Sequence, residues 1–273
     1  MQLKKRLDLI LVEKNLFKSR TEAQKAILAK MVLVNEQLET KPGKMFSVDK
    51  IKDIKIKEFP KYVSRGGYKL QKALDEFKID VSEKICLDIG ASTGGFTDCL
   101  LQYNAKKVYA VDVGYGQLDL KIRNNPKVVP IEKTNIRYID KTLFKEKIDI
   151  VTIDVSFISI KKFVLNLLDI LNKDFAIIIL IKPQFEANIE EVKKGVVKDK
   201  AVHKMILLDF LKFFNQNNLK IVNLTYSPIR GPKGNIEFLA EIREKGEEII
   251  EEFIERVVNE AWLKFGIKEK SLK

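Results

Sequence analysis

Cysteine, histidine and long apolar runs are all scarce in this chain. Its 273 residues hold two cysteines and one histidine. Cys86 and Cys99 each sit in an apolar segment and read as buried, reduced thiols, which argues against a disulfide framework or a zinc site. No stretch approaches the ~18 apolar residues of a membrane-spanning helix. The longest strongly apolar run, residues 175–181, reads as a buried strand. The first residues, Met1-Gln2-Leu3-Lys4-Lys5-Arg6, lead into an amphipathic pattern. They lack an apolar core followed by a small-residue cleavage site, so no secretory signal is expected. A cytoplasmic location, with no membrane partner and no metal, is the expectation. Pro-Pro, internal repeats and low-complexity segments are absent as well.

Acidic residues are also in short supply, 38 against 50 basic ones. The imbalance is uneven: residues 1–63 hold 15 Lys and Arg against 8 Asp and Glu, a net of +7 out of +12. Such a concentration suits a polyanion-binding module, because released counterions drive that binding.

The hydrophobic patterning divides the chain. Leu3, Leu7, Ile10 and Leu11 recur at helical spacing over residues 4–15. Ser19 and Glu22 form a capping-box pair that opens a second helix through Ala23, Ala26 and Ile27. Residues 32–34 read as a short strand, Pro42-Gly43 as a turn, and Ile51, Ile54 and Ile56 as a solvent-facing strand among lysines. Phe59-Pro60-Lys61-Tyr62-Val63 resembles a linker. The boundaries expected are 1–59 for the basic first module, 60–64 for the linker and 65–273 for the larger domain. After the turn Ser64-Arg65-Gly66-Gly67, a helix presents Leu70, Ala73, Leu74 and Phe77 on one face. From Lys84 strands alternate with helices: 85–89, 107–111, 128–131, 148–154, 175–181, 219–226 and 236–242. Strands apolar on both faces indicate a mostly parallel sheet covered by helices, with the last pair supplying an antiparallel edge. The C-terminal helix carries a double apolar stripe that suits packing on its own core or on a partner.

The turn Asp88-Ile89-Gly90-Ala91-Ser92-Thr93-Gly94-Gly95-Phe96 follows a strand and opens a helix. Its glycines let the backbone turn sharply and approach a ligand. It is not a dinucleotide fingerprint, since Ser92 stands where the second glycine would be. Asp112 ends the next strand, where an acid grips ribose hydroxyls. A nucleoside-type cofactor, S-adenosylmethionine, is therefore expected, with Gly90, Ser92 and Gly94 on its methionine side and Asp112 on its ribose. Asp88 would face its amino group through water, and Gly95, Phe96 and Asp154 complete the set. Four charged residues fall at strand ends or turns that this architecture brings together: Lys69, Asp154, Lys182 and Glu237. A lysine ending the apolar run 176–181 is hard to justify by packing. A ribose 2′-hydroxyl is a weak acid that must be oriented or deprotonated as it attacks a sulfonium methyl group, and a lysine of lowered pKa can do this. Lys182 is expected nearest the 2′-oxygen, oriented by Asp154 and Glu237, with Lys69 as a second cation.

Further motifs accompany these: Ser64-Arg65-Gly66-Gly67-Tyr68-Lys69-Leu70, Asp112-Val113-Gly114-Tyr115-Gly116-Gln117-Leu118, Asp154-Val155-Ser156-Phe157-Ile158-Ser159, Lys182-Pro183-Gln184-Phe185-Glu186 and residues 231–237. In order across 64–240, they resemble the TlyA family, ribosomal RNA 2′-O-methyltransferases that also carry the name haemolysin. The resemblance implies a Rossmann-like class I methyltransferase domain of FtsJ type, with a seven-stranded, mostly parallel sheet. Lys69, Asp154, Lys182 and Glu237 fall on that type's Lys-Asp-Lys-Glu tetrad. Arg6-Leu7-Asp8, Ser19-Arg20, Ala23 and Val34-Asn35 resemble an S4 RNA-binding domain of α+β type. Lys30 and Glu36 stand where that pattern usually has glycine, and a non-glycine residue in a left-handed cap costs roughly 1 kcal/mol. RNA contacts are expected from Lys4, Lys5, Arg6, Lys18, Arg20, Lys25 and Arg65. The family's activity implies cytidine 2′-O-methylation in large-subunit rRNA, and in some members also in small-subunit rRNA. Extra terminal residues mark the latter, and the long C-terminal helix leans that way.

Rivals fare worse. Base N-methylation usually needs an Asp/Asn-Pro-Pro-aromatic motif, and carbon-5 methylation needs a cysteine nucleophile, for which Cys86 and Cys99 are poorly placed. A pseudouridine synthase needs neither the glycine turn nor the tetrad. A pore-forming haemolysin needs spanning elements, and the C-terminal helix begins with Glu247, Glu248, Glu251 and Glu252, which disfavours anionic membranes. The intact tetrad argues against an RNA-binding protein with a dead catalytic domain. His203 reads as a surface or capping residue. Tyr62 suits stacking on a base or on the larger domain, and Phe157 suits a ligand or simple packing.

Overall fold

The structure, a computed structural model, describes residues 4–57 and 60–266. Leu3 of the first helical pattern and Phe59 of the linker lie outside the described residues. The chain divides into two units, one up to Lys61 and one from Tyr62.

The first unit is built on two helices and small antiparallel sheets. Strand β1 (Lys4–Arg6) leads directly into α1 (Leu7–Glu13), and α2 (Arg20–Leu28) follows. Then come β2 (Val32–Val34), β3 (Gln37–Glu39), β4 (Met45–Ser47) and β5 (Ile54–Ile56). The strand β1 pairs with β4, and β2 lies between β3 and β5. Leu7, Leu11, Ala23, Ala26, Ile27, Val32 and Val34 form its core. The helix expected from Lys4 begins three residues later, because Lys4–Arg6 bond to a strand some forty residues away. Ser19 caps α2, its side chain accepting from the Glu22 amide at 3.2 Å. The reciprocal half differs from the expected box: Glu22 accepts from the Lys18 amide at 3.0 Å. Ile51, Ile54 and Ile56 pack against the core and do not face solvent. Lys30 and Glu36 adopt φ of +60° and +66°, the left-handed turns that glycine would fill without strain.

The second unit opens with α3 (Gly66–Phe77), so Gly66 and Gly67 belong to a helix and not to a free turn. Tyr62 lies buried against this helix, its ring edge-on to Tyr68 at 5.2 Å, which settles it as core. There follow β6 (Ile85–Ile89), α4 (Gly95–Gln102), β7 (Lys107–Val111), α5 (Leu120–Arg123), β8 (Val128–Ile131) and β9 (Ile148–Ile153). Next are β10 (Leu171–Ile181), α6 (Pro183–Glu186), the short hairpin β11 (Val192–Lys193) and β12 (Val196–Val197), and α7 (Lys200–Gln216). The chain then runs through β13 (Lys220–Tyr226), β14 (Phe238–Arg243) and α8 (Glu251–Lys264).

The seven-stranded sheet has the order β13-β14-β10-β9-β6-β7-β8. Only β14 is antiparallel to its neighbours. It is inserted between β10 and β13 and is not an edge, as its run of five buried residues, 238–242, requires. The strand β10 starts four residues earlier than its apolar run, because Asn172, Lys173 and Asp174 form an exposed lead-in ending in a register shift. Apolar residues from both faces of the sheet fill the core. The double stripe of α8 packs inward: Ile254, Val257, Val258, Ala261 and Trp262 are buried against α7 and β13. His203 is part of this seam and neither a surface nor a capping residue. It is buried, and Trp262 Nε1 donates to its Nδ1 at 3.0 Å.

Candidate active site

The parallel strands that feed the site, β6, β7, β9 and β10, end on one side of the sheet, where antiparallel β14 begins. At the exit of β6 the chain passes through Gly90 (φ +83°), Ser92 (φ +48°) and Gly94 (φ +93°), which caps α4. A side chain on Gly90 would strike the Asp154 carbonyl oxygen, so this crossing of β6 and β9 admits only glycine. Asp112, just past β7, ties the turn down. Its Oδ2 accepts from the Ser92 amide at 2.8 Å and its Oδ1 from the Gly114 amide at 2.7 Å. Each carboxylate oxygen keeps a lone pair for a hydroxyl donor.

A cavity of about 170 Å³ opens here, lined by Ser64, Arg65, Gly66, Lys69, residues 90–93, Gly95, Phe96, Asp154, Arg230 and Pro232. Gly90, Ser92, Gly95, Phe96 and Asp154 thus meet it as expected of a cofactor set. Gly94 and Asp88 do not. Gly94 backs onto Leu118 and Ile122. Asp88 lies wholly buried beneath the turn, where its two oxygens accept from Thr97 Oγ1 at 2.6 Å and Thr152 Oγ1 at 3.0 Å. Burial pushes its carboxyl up to about 7. It braces the turn and presents nothing to the cavity. Asp112 also lies outside this cavity, bonded to the turn from the end of β7.

Two ion pairs stand at the mouth of the sheet. Lys69 Nζ contacts Glu237 Oε2 at 2.6 Å, with both side chains buried. Lys182 Nζ contacts Asp154 Oδ1 at 2.6 Å and donates to Ser156 Oγ at 3.0 Å. Glu237 therefore holds Lys69, not Lys182 as the sequence suggested. Topology explains the pairing. Asp154 and Lys182 leave the adjacent parallel strands β9 and β10. Glu237 precedes antiparallel β14, whose Phe238 is in register with Ile181. Lys69 comes from α3, and it and Asp154 line one cavity. Glu237 Oε1 has no hydrogen-bond partner among the described residues, and a side chain on Gly231 would come within 2.5 Å of it.

Sequence reasoning placed Ser156 and Pro232 in motifs without giving them a role, and it missed Arg230. Arg230 and Pro232 adjoin the glycine-proline loop before β14, and that loop was the available signal. Phe157 is 91% exposed at φ +64°, with its ring 4.9 Å from that of Phe185. It leans on one ring and leaves most of its surface open, so it is not a core residue.

Of the expected RNA contacts, Arg6 and Arg20 share one organiser. Buried Asp8 accepts from Arg6 Nε and Nη2 at 3.0 Å, Arg20 Nε at 2.9 Å and Gln24 Nε2 at 2.7 Å. The bond from Arg6 above all, then those from Gln24 and Arg20, hold its carboxyl well below the usual range, against the opposing effect of burial. Both guanidinium groups stay half exposed. Lys5 is engaged by Glu13 at 2.7 Å, whereas Lys4, Lys18 and Lys25 are exposed. Arg65 belongs to the second unit, where it lines the cavity and donates to the Arg230 carbonyl at 2.9 Å.

Known proteins resemble this chain over most of its length. Residues 62–243 match the FtsJ-like methyltransferase family, and residues 5–50 match the S4 domain. A Bacillus subtilis protein that carries the name of an rRNA methyltransferase, YqxC, is 46% identical over 266 residues, 94% of each chain. The 16S/23S rRNA (cytidine-2′-O)-methyltransferase TlyA of Mycobacterium tuberculosis is 37% identical over 87% of this chain and 89% of its own. A solved Streptococcus thermophilus structure bearing the haemolysin name superposes with a TM-score of 0.75 at 38% identity, covering 97% of this chain and 98% of that one. Among the described residues no helix is long and apolar enough to cross a membrane. The chain belongs to the FtsJ-like methyltransferases, in the TlyA family that joins them to an S4 domain.

Proposed function

We propose that this chain transfers a methyl group from S-adenosylmethionine to a ribose 2′-hydroxyl of ribosomal RNA, with a cytidine of 23S rRNA as the target. The observation that carries this reading is the meeting of Lys69–Glu237 and Lys182–Asp154 beside a glycine turn, in a methyltransferase fold. The name of the Mycobacterium tuberculosis relative supports the cytidine.

The residues present fit the cofactor. Gly90 lets the turn pass close against the Asp154 backbone beside the cavity, Gly95 and Phe96 continue the cavity wall, and Asp112 offers oxygens for ribose hydroxyls. When bound, the cofactor supplies an electrophilic methyl group on a sulfonium. The rest belongs to the protein. Lys182 stands closest to the 2′-oxygen and orients it for attack as the hydroxyl loses its proton. Asp154 and Ser156 fix the lysine's direction. Lys69, locked to Glu237, positions the ribose and adds a positive potential that favours the developing alkoxide. Phe157 offers an exposed ring on which the target base stacks. In the first unit, Arg6 and Arg20, held by Asp8, supply affinity for shaped RNA.

The test is a map of ribose methylation in 16S and 23S rRNA from cells with and without this protein. One 23S cytidine should lose its methyl group in the deletion, and a change in 16S rRNA would add that subunit as a second target. Identical maps would defeat the reading.

A further inference from the structure

A second and much larger groove, about 1180 Å³, lies beside the catalytic cavity. The hairpin β11–β12, the start of α7, the loop before β14 and part of α8 form its walls. Arg230 lines both spaces, so the groove adjoins the cavity that holds Lys69 and Asp154.

The charges on its rim are not balanced. Lys193, Lys198 and Lys233 are exposed and have no carboxylate partner among the described residues. The rim acids are mostly occupied. Glu191 accepts from the Asn188 amide at 2.8 Å, Asp199 caps α7 through the Ala201 amide at 2.8 Å, and Glu255 pairs with Lys204 at 2.9 Å. Only Glu190 is left without such a bond. The floor is apolar, with Val196, Ile236, Val258 and Trp262.

The hairpin is fixed to the catalytic strand. Buried Asn235 uses both ends of its amide: Oδ1 accepts from the Val197 amide at 3.0 Å, and Nδ2 donates to the Gly195 carbonyl at 2.8 Å. Glu237 follows two residues later. The lysines of the hairpin are thus held at a set distance from the tetrad.

We propose that this groove carries the RNA strand as it leaves the reactive ribose, with Lys193, Lys198 and Lys233 on its phosphates and the apolar floor under a sugar or base. The proposal rests on the RNA reading above. A polymeric acceptor that places one ribose in a 170 Å³ cavity must exit along the surface, and this adjoining groove is lined by unpaired cations. Asn235 is then a positioning residue that sets the strand's path relative to Glu237.

The test uses the full chain with all three lysines changed to alanine. A matched control removes the same charge at the opposite end of the sheet, at Lys84, Lys106 and Lys173. Binding of an rRNA fragment is followed across a salt series, and methyl transfer is followed against RNA concentration. The groove variant should lose about 2 from the slope of log affinity against log salt, at about 0.7 per phosphate contact on a single strand. Its KM for RNA should rise about tenfold or more, with unchanged affinity for S-adenosylmethionine, while the control stays near wild type. Asn235→Ala keeps every lysine, so it should raise the KM and leave the slope in place. A groove variant that matches its control in slope and KM would overturn the proposal. Wild-type protein that transfers no methyl group to rRNA would bring down the reading above, and this one with it.

Discussion

Lys69 and Lys182 sit at one end of one sheet, each 2.6 Å from a carboxylate. The two lysine side chains are about equally buried, 10% and 12% exposed, but Glu237 is 1% exposed and Asp154 21%. Removing one member of a buried pair leaves an uncompensated charge and costs about 3–5 kcal/mol. Lys69→Ala, which strands Glu237 away from water, should therefore lower unfolding stability by several kcal/mol, and Lys182→Ala, which leaves an Asp154 that water reaches, by less. Denaturant titration of the two variants reads the difference, and a larger loss in Lys182→Ala would contradict it. Residue types were legible here, but partners were not. Glu237 pairs with Lys69 because β14 lies antiparallel beside β10 and α3 comes over that edge, and no local pattern encodes such a placement. His203 was misread for a similar reason: its partner, Trp262, lies 59 residues away on another helix.

At the scale of single elements, strands β6, β7 and β8 follow the sequence to the residue. Each is an apolar run closed by glycine, aspartate or a polar turn. The strand β1 was hidden because its three residues are all charged and gain their structure from β4. The hairpin β11–β12 was hidden because two-residue strands are too short to show a period. Where the S4 pattern lacks its glycine, the end of α2 still takes the left-handed path, with Lys30 at φ +60°. Lys30→Gly removes the steric cost of a β-carbon there and should stabilise the first unit by roughly 1 kcal/mol. Thermal unfolding followed in that unit checks this, and a lowered midpoint would show that Lys30 makes a compensating contact.

For the whole molecule, two buried groups couple stability to pH in opposite directions. Burial lowers the pKa of His203 from 6.5 to about 4. The unfolded chain takes up that proton first, so acidification from about pH 6.5 towards 4 destabilises the fold, by up to about 3 kcal/mol. Burial raises Asp88 from 3.8 to about 7. There the folded chain is protonated first, so its contribution is fully present below about 3.8 and is lost as pH rises through 7. The two effects oppose each other between pH 4 and 6.5. His203→Phe should leave a protein that gains stability on acidification across this window, and Asp88→Asn one that loses it more steeply than wild type. Denaturant midpoints at pH 7 and pH 5 decide the matter, and parallel shifts in both variants would refute the assignment.

The central claim is that the paired lysine at the exit of β10 acts on a ribose hydroxyl held beside the cofactor turn. The most direct measurement is single-turnover methyl transfer to 2′-hydroxyl groups of unmodified 23S rRNA by wild type and Lys182→Ala, with S-adenosylmethionine affinity measured in parallel. The account predicts a rate reduced by about a hundredfold or more with cofactor affinity within a few-fold of wild type. A Lys182→Ala protein that methylates ribose at the wild-type rate would contradict it.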